Sequence, residues 1–408
     1  MRSFLLAAVT LCALGTGDRG GTLAQEVIRL PADDRWLAAD FEQVFRVGEI
    51  DGEEWEEFGE VVSLAFDRAG NLHILDRMRS RVLVVDVHGG RVREYGRAGE
   101  GPGEFEAARW IGVRDDGRTV IFDFGHNGFL VFDSEGGFER LARLPGDASF
   151  MPNELDLTAG GNAAIPNGAV SSVSIVMALA GGYDGNRVSG RPVARLSLSD
   201  DQVRTDTLAM AWGPELEPVR PVRSGPNYPG PDTKLVPPLL VGALPGGGVV
   251  FSDSTAYRVQ VLDQGGGLER VLVRPLFPRP MTDRICAPVR ERDLAETEEQ
   301  LRVNRMGLSD GFRRALRERD QFSRCYHEFS VIRDLQTSVE GTIWIQRHGI
   351  DPINGGPIDL LTPDGRYLGS FPEGTPMPNA FGPDGLLAFI EEDEFEVQSV
   401  VVRRMPAS

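Results

Sequence analysis

The side chains of this 408-residue sequence that could do acid–base or metal chemistry are few and scattered. Its five histidines are His73, His88, His126, His327 and His348. Converging imidazoles can move protons or hold a metal. No His-x-His or His-Glu-x-x-His spacing occurs, so the sequence carries no zinc motif. Neither a Gly-x-Ser-x-Gly elbow nor a phosphate-binding loop is present. Three aspartates, Asp76, Asp123 and Asp253, close similar stretches of chain. They could be metal ligands, but they fall at equivalent points of separate repeats rather than together. An aspartate that ends a strand more simply caps backbone N–H groups or pairs with an arginine such as Arg81 or Arg258. No metal and no cofactor is expected.

The elements that position these residues come from a repeat. Phe66–Asp76, Arg114–Asp123 and Leu244–Asp253 each read as a strand end, a glycine turn, a short apolar strand and an aspartate. Arg81-Val82 and Arg258-Val259 then open the next strand at the same offset, while Gly128 holds that place before Phe129–Asp133. Weaker copies run over Gly160–Asn167, Val339–Gln346 and Pro383–Ile390. A period of roughly 40–50 residues with short strands and tight turns marks antiparallel propeller blades. Gly 49 and Pro 27 suit so many turns, and 41% apolar residues suffice for a large core. The count is six blades. The last has three strands at the C-terminus, and Phe41–Glu49, which parallels the outer strand around Arg93–Gly96, is expected to supply its fourth. Closing the ring with both termini removes an exposed seam.

The stretch Gly70–Asp76, then Arg81-Val82, then Gly99-Glu-Gly-Pro-Gly-Glu-Phe105, resembles NHL-repeat propellers, and especially secreted bacterial six-bladed β-propeller proteins. The resemblance is strongest over 41–146 and weakest in blade 3, where Ser171–Ala211 is long and Gly181–Arg191 reads as a hairpin tip. It implies an all-β, six-bladed fold and leaves function open, because propellers host binders, scaffolds and enzymes.

Strand alternation places the loops between second and third strands, and the linkers between blades, on one face. That face should carry the linkers Gly99–Phe105 and Glu217–Pro238, the loop Arg347–Pro357, and an insertion at 283–330 between blades 4 and 5. Within the insertion, Arg290–Met306 lacks Gly and Pro and reads as a helix stopped by Gly307. Ser309 is a plausible N-cap for a second helix with an apolar stripe of Phe312, Ala315, Leu316 and Phe322. A helical hairpin is expected, serving either as a lid at the channel mouth or as an inert insertion. Cys286 and Cys325 bracket it and are expected to form a disulfide, since they are the only pair left once the leader is removed. Between Arg284 and Arg324 stand ten arginines and eight acids, a mild basic bias in an acidic chain.

The innermost strands line the channel, so their polar residues are the binding candidates. Arg109 and Trp110 open blade 2, and Arg333 and Asp334 open the opposed blade 5. Asn153 and Asn379, each in a Met-Pro-Asn triplet, open the opposed blades 3 and 6. Such a mouth could hold a carboxylate, a sugar or a peptide. His126 and His348 fall in loops of the insertion face and join the list. Trp55, Trp212 and Trp344 are read as blade packing.

Residues 1–24 have the form of a signal peptide: Arg2, an apolar run from Phe4 to Leu14, and Thr22-Leu23-Ala24 before the cleavage point. Cys12 as a lipoprotein site is disfavoured by the bulky Leu11 before it. No later apolar run reaches the roughly 18 residues of a membrane span. Export to the periplasm or beyond follows, with residues 25–408 as a monomeric propeller. Removing the leader changes the formal net charge of −18 to −19, which repels nucleic acid and anionic membranes. The sequence therefore favours a protein, peptide or glycan binder over an enzyme. A lyase or hydrolase working at the channel mouth is the alternative.

Overall fold

The structure, a computed structural model, describes residues 26–48, 52–145, 154–158, 161–167, 191–215, 233–303 and 309–406. The leader, Asn153, most of the blade-3 hairpin tip and most of the Glu217–Pro238 linker lie outside the described residues.

Six antiparallel sheets stand around a central channel. Blade 1 runs Val61–Phe66, Leu72–Asp76, Arg81–Val85, Arg91–Tyr95, from channel to rim. Its two middle strands are buried along their whole length, because both of their faces meet neighbouring blades, while the rim strand is largely exposed. Blade 2 (Ala108–Val113, Thr119–Asp123, Gly128–Phe132, Phe138–Arg143) repeats the plan. Blade 3 follows from Glu154–Leu157, Ala163–Asn167, Arg191–Ser197 and Arg204–Ala211, with Arg191 opening its third strand rather than ending a loop. Blades 4 and 5 open with Leu240–Ala243 and Ile332–Thr337.

Six apolar clusters fill the six junctions between consecutive blades. The junction of blades 6 and 1 holds Phe45, Val47, Leu72, Ile74, Val400 and Val402, so the ring is closed. It closes as the sequence leads one to expect. Glu42–Val47 is the outer strand of blade 6, antiparallel to Gln398–Arg404. The tight turns share a device. Asp86, Asp133 and Asp263 each accept two backbone N–H bonds from the turn that follows, and Gly89, Gly136 and Gly266 take the positive φ that the turn needs.

One strand is unexpected. Glu26–Arg29 lies parallel to Leu268–Val273 as a fifth strand on the rim of blade 4. The chain then crosses blade 5, where Trp36 bridges Ser370, before entering blade 6. Arg274, fully buried, fastens this strap. It donates to Asp359 at 2.9 Å, Asp34 at 2.6 Å and the Pro31 carbonyl at 2.9 Å, and stacks on Tyr367. Arg347 also binds Asp34, at 3.0 Å.

The insertion is a helical hairpin, Asp283–Val303 and Asp310–Gln321. The first helix begins seven residues before the expected Arg290. Pro288 lies in its second turn, where it removes the bond back to the first turn and crowds the carbonyl four residues earlier. Ser309 caps the second helix, accepting from the Phe312 N–H at 3.2 Å. Ala315 packs inward, but Phe322 falls at the helix end and is exposed. Cys286 and Cys325 are disulfide-bonded. Lys234, on the linker ahead of blade 4, pairs with Asp293 and Asp320 and ties both helices to the ring. Among the described residues, no helix is long and apolar enough to cross a membrane.

Candidate functional site

The innermost strands of all six blades enclose a cavity of about 520 Å³. Arg109, Trp110 and Asn379 line it, as their positions at the strand starts require. Arg109 makes no hydrogen bond or ion pair among the described residues. Desolvation, then the charge of Arg77, lowers its pKa, against Glu60. The Trp110 ring lies across Gly112, where a Cβ would collide with it, and faces Leu157 of blade 3. The Asn379 side-chain oxygen accepts the Ile390 N–H at 2.8 Å, which fixes the amide while leaving its amino group and one oxygen lone pair for a ligand. Arg333 is not part of this cavity. It donates to the Pro352 carbonyl at 3.3 Å, on the loop side of blade 5.

Asp156, which lines the cavity, was not among the sequence candidates. Asp156, on the first strand of blade 3, accepts the Ala243 N–H of blade 4 at 3.1 Å. Burial pushes its pKa up to about 6, opposed by that N–H and assisted by the charge of Asp334. Burial also raises Asp334, whose carboxylate holds the Leu335 N–H at 2.8 Å. Thr337 donates to the Ala243 carbonyl at 2.6 Å. Asp156 and Thr337 thus satisfy both backbone groups of Ala243 and join blades 3, 4 and 5. In Glu154-Leu-Asp-Leu157 the alternation reads as an ordinary half-exposed strand, so nothing local marks Asp156.

The cavity reaches the turns after the innermost strands, where Arg68 pairs with Asp115 at 2.8 Å. Those turns lie on the face opposite the insertion, and none of the described residues of the helical hairpin lines the cavity.

The histidines do not converge. His126 lies beside Asp123 under the Gly99–Phe105 linker, with Nε2 3.3 Å from the Glu100 carbonyl. His348 sits in blade 5, its Nδ1 3.0 Å from the Ser330 carbonyl. Burial, then the charge of Arg333, holds its pKa down to about 4. Neither lines the channel cavity. His73 is buried in blade 1. The repeated aspartates are structural. Asp76 binds the Gly59, Glu60 and Arg79 N–H groups and Arg81. Asp123 binds those of Glu106, Ala107 and His126. Asp253 binds the Trp212 N–H and Gln260, while Arg258, expected as its partner, is exposed instead. Among the described residues, no three His, Cys, Asp or Glu side chains gather as a metal site.

The loop face has a different character. The four most exposed large apolar side chains among the described residues are Phe277 (80%), Ile350 (79%), Met78 (74%) and Phe395 (72%). Met78, Ile350 and Phe395 occupy the second-to-third strand loops of blades 1, 5 and 6, and Phe277 the linker after blade 4. All four project from this one face, and Trp212 and Phe322 are exposed there too. Between blades 4 and 5 the same face has a pocket of about 190 Å³ bounded by Phe277, Arg279, Phe329 and His348.

A family model described as a 6-bladed beta-propeller matches residues 52–158. No functionally curated protein matches the chain. Among solved structures, a protein from Bacteroides fragilis described as exported is 13% identical, with 90% of this chain and 94% of that one covered and a TM-score of 0.47. A member of the duf4221 family from Bacteroides vulgatus is 10% identical over 90% and 97% of the two chains, with a TM-score of 0.47. Virginiamycin B lyase from Staphylococcus aureus is 9% identical over 90% and 100%, with a TM-score of 0.42.

Proposed function

We propose that this chain is an exported, monomeric propeller of NHL-like repeats that binds a protein or peptide partner on its loop face. The mature protein would be residues 25–408 after loss of the signal peptide, in an oxidising compartment that suits the Cys286–Cys325 disulfide. The observation that carries this reading is the gathering of Met78, Phe277, Ile350 and Phe395 at loop tips of one face. Exposed apolar side chains scattered singly need no explanation, but a concentration on one rigid face marks an interaction surface. Two phenyl rings, an isoleucine and a methionine, with no polar group among the four tips, suit a peptide better than a glycan, whose hydroxyls need hydrogen-bond partners.

The enzymatic alternative draws on Asp156, a carboxyl with a raised pKa in a cleft. Catalysis needs a second titratable group at the same substrate position. The nearest described candidate, Asp334, is of like charge and already bonded to its own strand, so the binding reading is preferred.

The test is to pan phage-displayed random peptides against oxidised 25–408, in parallel with a Met78→Ser/Phe277→Ser/Ile350→Ser/Phe395→Ser variant. These side chains are exposed, so the variant should keep the wild-type melting temperature. Peptides enriched on the wild type and not on the variant support the reading. Enrichment that is equal on both, or lost only on Arg109→Gln in the channel, overturns it.

A further inference from the structure

We propose that the pocket between blades 4 and 5 captures the C-terminal residue of a peptide chain, holding its carboxylate at Arg279, with the charge of Arg333 acting from beyond the lining, and a bulky apolar side chain beside Phe277. This rests on the reading of the loop face as a peptide-binding surface and supplies its chemistry.

The pocket's size comes first. At about 190 Å³ it lies below the roughly 300–1,000 Å³ of small-molecule sites. It suits one anchoring side chain of a larger partner, the usual form of an interface hot spot. Leu276, Phe329 and Val331 give it an apolar wall. Phe277 and Ile350 stand exposed near its edge.

Its charge comes second. The chain has a formal net charge of −18, yet Arg279 and Arg333 meet no carboxylate among the described residues. Arg279 stacks on the Phe329 ring, 4.7 Å from its centroid, and donates to the Gly349 carbonyl at 2.6 Å and the Ile350 carbonyl at 3.4 Å. Arg333 donates to the Pro352 carbonyl. By contrast, Arg347, which also lines the pocket, and Arg274 are neutralised by Asp34 and Asp359. Carbonyl partners fix a guanidinium without cancelling its charge, so Arg279 is oriented in advance for an anion. His348 lies among them. Its Nδ1–H is directed at the Ser330 carbonyl, and both arginines disfavour its protonation. A bound carboxylate would offset that pair of charges.

A one-residue pocket with cations beside an apolar wall asks a single residue to carry both an anion and a large apolar side chain. Among unmodified residues only the C-terminal one does so. Guanidinium and carboxylate then meet in their preferred bidentate geometry.

The test uses fluorescein-labelled Gly-Ser-Gly-Ser-Phe and fluorescence anisotropy with the full mature chain. The free acid should bind saturably. The C-terminal amide, the peptide ending in Ala, and the protein variants Arg279→Gln and Phe277→Ser should each weaken binding about tenfold or more, the equivalent of about 1.4 kcal/mol. Phe277 is exposed, so its variant keeps a folded control should Arg279→Gln melt early. The His348 ring resonances should titrate at higher pH in the presence of the acid and not of the amide. Equal binding of acid and amide, or no saturation up to about 1 mM protein, overturns the site. If panning yields peptides that depend on Met78 and Phe395 while Arg279→Gln leaves them bound, the loop-face reading stands and this pocket falls.

Discussion

Replacing His73 with leucine should remove part of the acid sensitivity of the fold. His73 is 1% exposed in the second strand of blade 1, and neither ring nitrogen has a hydrogen-bond partner. Burial lowers its pKa from 6.5 to about 4; Asp67 opposes the shift and Arg93 adds to it. The unfolded chain takes up a proton near pH 6.5, and the folded protein does not until about pH 4. Between these values the unfolded state binds more protons, so stability is full above pH 6.5 and falls as the pH drops to 4. The shift corresponds to about 3 kcal/mol below pH 4 and about 2 kcal/mol at pH 5. His348, displaced in the same direction, and Asp156, displaced in the opposite sense, are present in both proteins and cancel in the difference. Leucine also removes two buried nitrogens without partners, so the variant should be no less stable at pH 8. Urea unfolding followed by tryptophan fluorescence at pH 8, 7, 6 and 5 measures the effect. His73→Leu should gain about 2 kcal/mol on the wild type between pH 8 and pH 5. Parallel pH profiles for the two proteins would refute the argument, because a neutral buried imidazole would then have no part in acid unfolding.

Two further outcomes follow from the fold. Asp76→Ala strips three backbone N–H groups and the buried Arg81 of their acceptor. It should cost about 3 kcal/mol or more in chemical denaturation, with calcium addition restoring nothing, since this aspartate is structural; recovery by calcium would reopen the metal reading. Cys286→Ser/Cys325→Ser opens a loop of 39 residues, about 4 kcal/mol in the chain-entropy model. The loss should appear as faster proteolysis within 283–330 while strands of blades 1 and 2 keep their hydrogen-exchange protection; uniform loss of protection would show that the hairpin supports the whole ring.

Much of the architecture was legible because its signals are local. The glycine turns before Leu72, Thr119 and Val249 each lie within a few residues of the strand they start, and the matching repeats fix the blade count. The closing strand Glu42–Val47 was found by its likeness to blade 1. The turn aspartates Asp86, Asp133 and Asp263 were an equally local signal, in Asp-x-x-Gly-Gly, that went unread. Glu26–Arg29 offered no such signal. Its partner begins more than two hundred residues away, and four residues of mixed polarity look like any linker.

By itself the sequence determined the blades, the ring closure, the cysteine pair and the Ser309 cap, because each depends on residues close in the chain or on repetition of such a unit. Which of the strand-start candidates reach the channel, and that Asp156 joins them, was decided by tertiary structure. Side chains alternate along a strand, so one extra residue turns every later one over. The first strands of blades 1, 2 and 5 bulge after Val61, Ala108 and Ile332, and that of blade 3 does not. Arg109 and Arg333 occupy equivalent bulges, yet one lines the cavity and the other bonds to Pro352, because the Arg347–Pro357 loop supplies a carbonyl within reach. The loop face was likewise assembled in space. Met78, Phe277, Ile350 and Phe395 lie far apart in the chain, and only the closed ring sets them on one side of the molecule.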